Sequence, residues 1–212
     1  NTLEHQPAKV AAMEGIWETE KGADLRLFAI PDQENETNHY EVTIPNLASL
    51  ILTHSIDGEI KGLKEWAKED RPPVAIVFWS FRVMVGIGMA MILTGVLAVI
   101  LFFRKRLFNC RWFQLWCMAL TPAGFIALLS GWFVTEVGRQ PWVAYGVIRT
   151  SEAVSPVLGE HVALSLMAFI VVYTILFGAA TYYILKLIRK GIDTTDEGFE
   201  EHSKIAAPYK KQ

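Results

Sequence analysis

The run Val83 to Phe103, VMVGIGMAMILTGVLAVILFF, decides the fold. Its 21 residues carry no charge, and a helix needs about 20 apolar residues to cross the ~30 Å of a bilayer's hydrocarbon. Working outward, Trp112 to Thr135 and Val162 to Leu185 are two further charge-free runs of 24 residues each. Leu107 to Asn109 lies in the short break between the first run and the second. A soluble domain of 212 residues would rarely hold three such runs, whatever its overall apolar share. The pattern predicts an all-α membrane protein in which three transmembrane helices follow an extramembrane segment.

Charge distribution orients these helices. Residues 1–73 hold 14 Asp and Glu against 7 Lys and Arg, while residues 104–111 hold four basic residues and no acid. Residues 136–161 carry two basic and three acidic residues, and Lys186, Arg189 and Lys190 follow the third run directly. Positive charge concentrates on the cytoplasmic side of membrane proteins. Residues 104–111 and the C-terminus are therefore expected inside, and residues 1–73 and the 136–161 loop outside. Cys110 and Cys117 border the inner link; they match no metal-binding or redox motif and read as apolar fillers in a reducing compartment. The chain begins at Asn1 without an initiator Met or a signal-peptide pattern, and reads as the C-terminal part of a longer protein or a processed fragment.

Three regions are expected: an extracytoplasmic loop over 1–73, a three-helix membrane region over 74–190 and a polar cytoplasmic tail over 191–212. Within the loop, Pro7 to Glu20 reads as a helix that Gly22 stops. Leu25 to Pro31 suits a strand or extended piece, and residues 32–39 are polar and turn-like. Pro45 to Thr53 suits a buried short helix, and Ile60 to Lys68 a short amphipathic one. Arg71-Pro72-Pro73 leads into the first membrane helix.

Charged side chains at the edge of hydrocarbon are expensive and draw attention. Arg82 lies about two turns into the first membrane helix, where it either snorkels to headgroups or meets an anionic group such as a haem propionate. Met84 follows two residues later; a lone Met is an ordinary core filler, yet its thioether is also a soft haem ligand. Two residues on a helix diverge by about 200°, so Arg82 and Met84 do not share a face. At the end of the second run, Trp132, Glu136 and Arg139 or Gln140 fall along one helical stripe. Glu136 is either an interfacial acid paired with Arg139 or a hard anionic ligand. Near the start, Lys9 and Glu14 offer a hydrogen-bond donor and a carboxylate base, but at about 140° apart on a helix they need not cooperate.

Three strings resemble one family. GWFVTEVGRQPW (131–142), FRVMVG (81–86) and QPAKVAAMEG (6–15), with FAIPDQE (28–34), are similar to motifs in subunit I of the bacterial cytochrome bd-type quinol oxidases. The resemblance covers essentially the whole chain, from that family's quinol-binding loop through its last three membrane helices, and the short loop suggests the family's short-loop variety. It implies that Met84 ligates the iron of low-spin haem b558 and Glu136 that of high-spin haem b595. Arg82, Trp132 and Arg139 would line the haems, and Lys9 and Glu14 would serve quinol oxidation at the outer face. Electrons would pass from quinol through haem b558 and haem b595 to haem d, where oxygen is reduced to water. The ligand of haem d and the histidine of haem b558 are not expected on this chain, because no histidine sits within an apolar run. Implied partners are the upstream part of subunit I, subunit II, room for a small single-helix subunit, membrane lipid, quinol and oxygen; the implied location is the bacterial inner membrane. Two other classes remain open on the residues: a haem b membrane anchor that passes electrons without reducing oxygen, and a non-enzymatic transport or assembly subunit.

Overall fold

The computed structural model describes residues 1–154 and 156–190; the expected tail over 191–212 lies outside them. Residues 1–154 pack as one unit, and the remainder forms a second. In the first unit, α1 (Thr2–His5) leads into α2 (Pro7–Glu14). Pro7 occupies the first turn of α2, where a missing N–H is harmless. Gly15, at φ 67°, closes it in the left-handed conformation that glycine adopts without penalty. The helix therefore stops six residues short of the expected Glu20. It is buried nearly all round: Ala8, Lys9, Val10, Ala11, Ala12 and Glu14 all lie inside.

Beyond α2, β1 (Glu20–Lys21) pairs with β4 (Glu59–Ile60). A longer antiparallel hairpin joins β2 (Leu25–Asp32) to β3 (Thr37–Ile44). The expected extended piece at 25–31 is β2, but part of the stretch read as turn is β3, and the turn shrinks to Gln33–Glu36. Asp32 drives that turn by accepting the Glu34 and Asn35 N–H groups, both at 3.0 Å, and the Asn35 amide at 2.7 Å. The Asn35 bonds above all, with the His39 ring at 3.4 Å and the Glu34 amide, lower the pKa of its carboxyl to about 2. The expected short helix is α3 (Leu47–Thr53), with Ala48 and Ser49 buried. The amphipathic helix expected over 60–68 does not form. The segment instead runs as β4 and two 3-10 turns, Leu63–Glu65 and Lys68–Asp70, because its amides bond back to Ile16 and Trp17 rather than along a helix. The all-α expectation thus holds for the membrane region, while the loop carries strands.

Among the described residues, three segments are long and apolar enough to cross a membrane. α4 (Val74–Phe103) has 30 residues, about 45 Å of helix, so its ends reach past the hydrocarbon. The second run is interrupted: α5 (Arg111–Ala119) ends before Thr121-Pro122 and α6 (Ala123–Glu136) begins after it. Proline lacks the N–H that a continuous helix would use, which explains the break. α4 and α6 are antiparallel partners. Met84 Sδ lies 3.0 Å from where a Cβ on Gly131 would stand, and Met91 Cε 3.9 Å from the equivalent point on Gly124. Both pairs are seven residues apart, so two small residues on one helix receive two flexible thioethers from the other. Trp116 Nε1 donates to Thr94 Oγ1 at 2.8 Å, fastening α5 to the same helix. After α6, β5 (Trp142–Ala144) and β6 (Ile148–Arg149) form a small hairpin. In the second unit, α7 (Gly159–Lys190) is apolar and exposed along its length, a surface suited to lipid or other protein. Cys110 and Cys117 are free and half-buried.

Candidate functional site

Lys9, Glu14, Arg82, Glu136 and Arg139 gather where α2 meets the N-terminal end of α4 and the C-terminal end of α6. The loop core beneath them is Ala11, Ala12, Trp17 and Leu63 against Val74 and Val77 of α4. This packing seats α2 on the membrane helices and aims its two charged residues in different directions, as their spacing required.

Lys9 points toward the C-terminal end of α6. Its Cγ lies 3.2 Å from where a Cβ on Gly138 would stand, a point already 2.3 Å from the Val134 carbonyl oxygen, so a larger residue there would meet the end of α6 before the lysine stem. The neighbouring Glu136 and Arg139 form an ion pair one turn apart. Burial and the Arg139 charge lower the Lys9 ammonium's pKa, and Glu136 opposes them. Glu136 is 46% exposed, leaving its carboxylate open to a further partner. Trp132 stands exposed beside Phe133, ring centroids 6.2 Å apart.

Glu14 faces α4. It is 4% exposed, and its carboxylate accepts from Arg82 Nη2 at 3.0 Å. Burial pushes its pKa up, while Arg82 and, at longer range, Arg26 pull it back. Arg82 also donates from Nε to the Arg26 carbonyl at 3.0 Å, from Nη2 to the same oxygen and from Nη1 to the Met13 carbonyl. Its guanidinium lies 3.8 Å above the Phe78 ring. Four of its five N–H donors are thereby engaged by the loop. Met84, on another face of α4, packs against Gly131.

Sequence reasoning missed four participants. Arg26 is buried between Glu20 at 3.1 Å and Glu41 at 3.2 Å, tying the hairpin to β1. The β5–β6 hairpin reaches back to the loop through Arg149, which pairs with Asp70 at 2.7 Å and lies 5.2 Å over Trp142, and through Tyr145, which hydrogen-bonds the Ala8 backbone. None of these four stands inside an apolar run, so no hydropathy signal marks it.

The chemistry of the donors fits haem. The Met84 thioether and the Glu136 carboxylate, on the adjacent helices α4 and α6, are donors of the kind that haem iron accepts. Among the described residues no three His, Cys, Asp or Glu side chains gather as they would for a bare ion, so a ligand that brings its own four nitrogens suits this set better than an isolated metal.

Fold and site together define a multi-pass helical membrane protein with an extramembrane loop docked on the ends of its helices. The sequence model described as cytochrome bd terminal oxidase subunit I matches residues 1–192, so the chain belongs to that family and is a multi-pass bacterial membrane protein. It is 37% identical over 202 residues to the cytochrome bd ubiquinol oxidase subunit 1 of Bacillus subtilis (strain 168), covering 90% of this chain and 43% of that one. A putative cytochrome bd menaquinol oxidase subunit I from the same organism is 32% identical over 190 residues, 88% of this chain and 42% of the relative. The bd oxidase structure from Geobacillus thermodenitrificans superposes with a TM-score of 0.74 at 29% identity, covering 90% of this chain and 44% of that chain. The chain thus spans less than half the length of the relatives it matches.

Proposed function

We propose that this chain supplies the quinol-binding loop and two haem-ligating side chains of a terminal respiratory oxidase that oxidises quinol at the outer face and reduces oxygen to water. The observation that carries this reading is the placement of α2. One short buried helix sets Lys9 against the Glu136–Arg139 pair and Glu14 against α4, the helix of Met84.

Oxidation of a quinol releases two protons with its two electrons, so the site needs a proton acceptor and a donor that orients the ring oxygen. Glu14, pushed toward higher pKa by burial, suits the acceptor. The partly desolvated Lys9 suits the donor. Met84 would hold the iron of haem b558 and Glu136 that of haem b595, with Arg139 neutralising charge and Trp132 packing beside the rings. Haems b558, b595 and d supply the electron relay and the oxygen-reducing iron once bound. The acidic loop, the Glu136–His161 link and the basic Arg104–Arg111 link support a quinol side that faces outside and a C-terminus in the cytoplasm. Exposed apolar faces on α4 and α7 suit coverage by the remaining helices of subunit I, subunit II, a small single-helix subunit and lipid.

The test is a reduced-minus-oxidised spectrum of the assembled oxidase carrying Glu136→Ala. The high-spin b signal should disappear while the low-spin b signal stays. Retention of the high-spin signal would remove the assignment of Glu136.

A further inference from the structure

Arg82 carries five N–H donors in a rigid fork, and the structure commits four of them to the loop. Nε and Nη2 bond the Arg26 carbonyl, Nη1 the Met13 carbonyl, and Nη2 the Glu14 carboxylate at 3.0 Å. Its side chain is 13% exposed and that of Glu14 6%, so the pair is shielded from the water that weakens surface ion pairs. Met13 belongs to the last turn of α2, where a cation complements the helix dipole. Gly15 adds a steric reason for the fit: a Cβ there would stand 3.2 Å from the Phe78 ring, and that same ring lies under the guanidinium. The C-terminal end of α2 is thereby latched to α4 two residues before Met84.

We propose that Arg82 is a positioning residue for Glu14, fixing the carboxylate that meets quinol to the membrane helix rather than anchoring a haem propionate. This rests on the quinol-oxidase reading above. The geometry makes a specific demand: the two side chains act as one unit, and removing either removes the same function. A lysine at position 82 keeps the charge but loses the fork that spans two carbonyls and a carboxylate, so it recovers the function only in part.

The experiment uses the whole oxidase complex with decylubiquinol and menadiol as substrates, and compares Arg82→Gln, Glu14→Gln and the double variant. Each single change should lower kcat/KM by on the order of tenfold or more, and the double should fall no further than the worse single. Arg82→Gln should also shift the low-spin haem midpoint potential, because it leaves Glu14 uncompensated. The double variant, which removes both charges, should return that potential to the wild-type value. Multiplicative losses in the double, or a potential that stays displaced in it as in Arg82→Gln, would overturn the proposal and make the haem the guanidinium's partner. Should Arg82→Gln fail to assemble, Arg82→Lys carries the same cycle, with coupling to Glu14→Gln in support and independence against. A wild-type complex that oxidises neither quinol would sink the functional reading itself. Normal wild-type turnover with independent Arg82 and Glu14 would sink the placement alone.

Discussion

Gly62→Ala should unfasten the strap that holds the loop core together. Gly62 has ordinary backbone angles (φ −85°, ψ 161°), so its requirement is space and not conformation. A Cβ there would stand 2.2 Å from the Glu18 carbonyl carbon and 2.5 Å from its oxygen; both are backbone atoms that no rotamer change can clear. The strap must retreat by more than 1 Å to reach ordinary van der Waals distance, about 3.5 Å or more. Retreat strains three hydrogen bonds: Gly62 N to Thr19 Oγ1 at 3.1 Å, Leu63 N to the Ile16 carbonyl and Lys64 N to the Trp17 carbonyl, both at 2.9 Å. Three bonds at about 1 kcal/mol each and part of the ~2 kcal/mol from burying Leu63 give a local loss of about 4 kcal/mol. Leu63 is fully buried against α2 and α4, so the loss bears on the seating of Lys9 and Glu14 as well. At about 1.4 kcal/mol per tenfold, the Leu63 and Lys64 amides should exchange hydrogen two to three orders of magnitude faster. The assay is hydrogen–deuterium exchange on peptides spanning residues 60–67 of the detergent-solubilised oxidase. Exchange within threefold of wild type would refute the close-approach argument.

Two smaller perturbations probe other joints. Arg149→Ala removes a half-exposed ion pair and a cation–π contact, each worth about 1 kcal/mol or less. It should speed amide exchange in the Trp142–Arg149 hairpin several-fold and leave the thermal midpoint of the complex within about 2 °C; a large drop in that midpoint would show the hairpin to be structurally central. Asp32 is a depressed carboxyl, so its contribution to the hairpin turn is complete above the ordinary carboxylate pKa and fades only as pH falls through about 2. Between pH 7 and pH 5 the Asn35 amide, corrected for its intrinsic rate, should show unchanged protection. Asp32→Ala, which removes the acceptor, should lose that protection at both pH values, whereas a wild-type loss by pH 5 would contradict the hydrogen-bonding explanation.

The sequence carried the membrane architecture because hydrocarbon imposes a length and a polarity that composition alone reveals. Three charge-free runs became three candidate spans, and only the Thr121-Pro122 interruption was passed over, since a hydropathy window averages across a single proline. The Glu136–Arg139 pair was equally legible, because a three-residue offset within one helix needs no tertiary information. Lys9 and Glu14 were predicted to diverge, and they do; which helix each one meets was not in the spacing.

What only the tertiary structure decided is how the acidic loop is held. Residues 60–68 have the composition of an amphipathic helix, yet they break into a short strand and two 3-10 turns because the Leu63 and Lys64 amides find partners on Ile16 and Trp17, each 47 residues away along the chain. Arg82 reads as a membrane arginine awaiting an anion, and its partners turn out to be Glu14 and two loop carbonyls almost 70 and 56 residues earlier. Transfer of a residue into hydrocarbon is a property of that residue and its near neighbours, so a local pattern can encode it. Pairing across such separations is set by the packing of α2 on α4, and no local stretch of the chain records it.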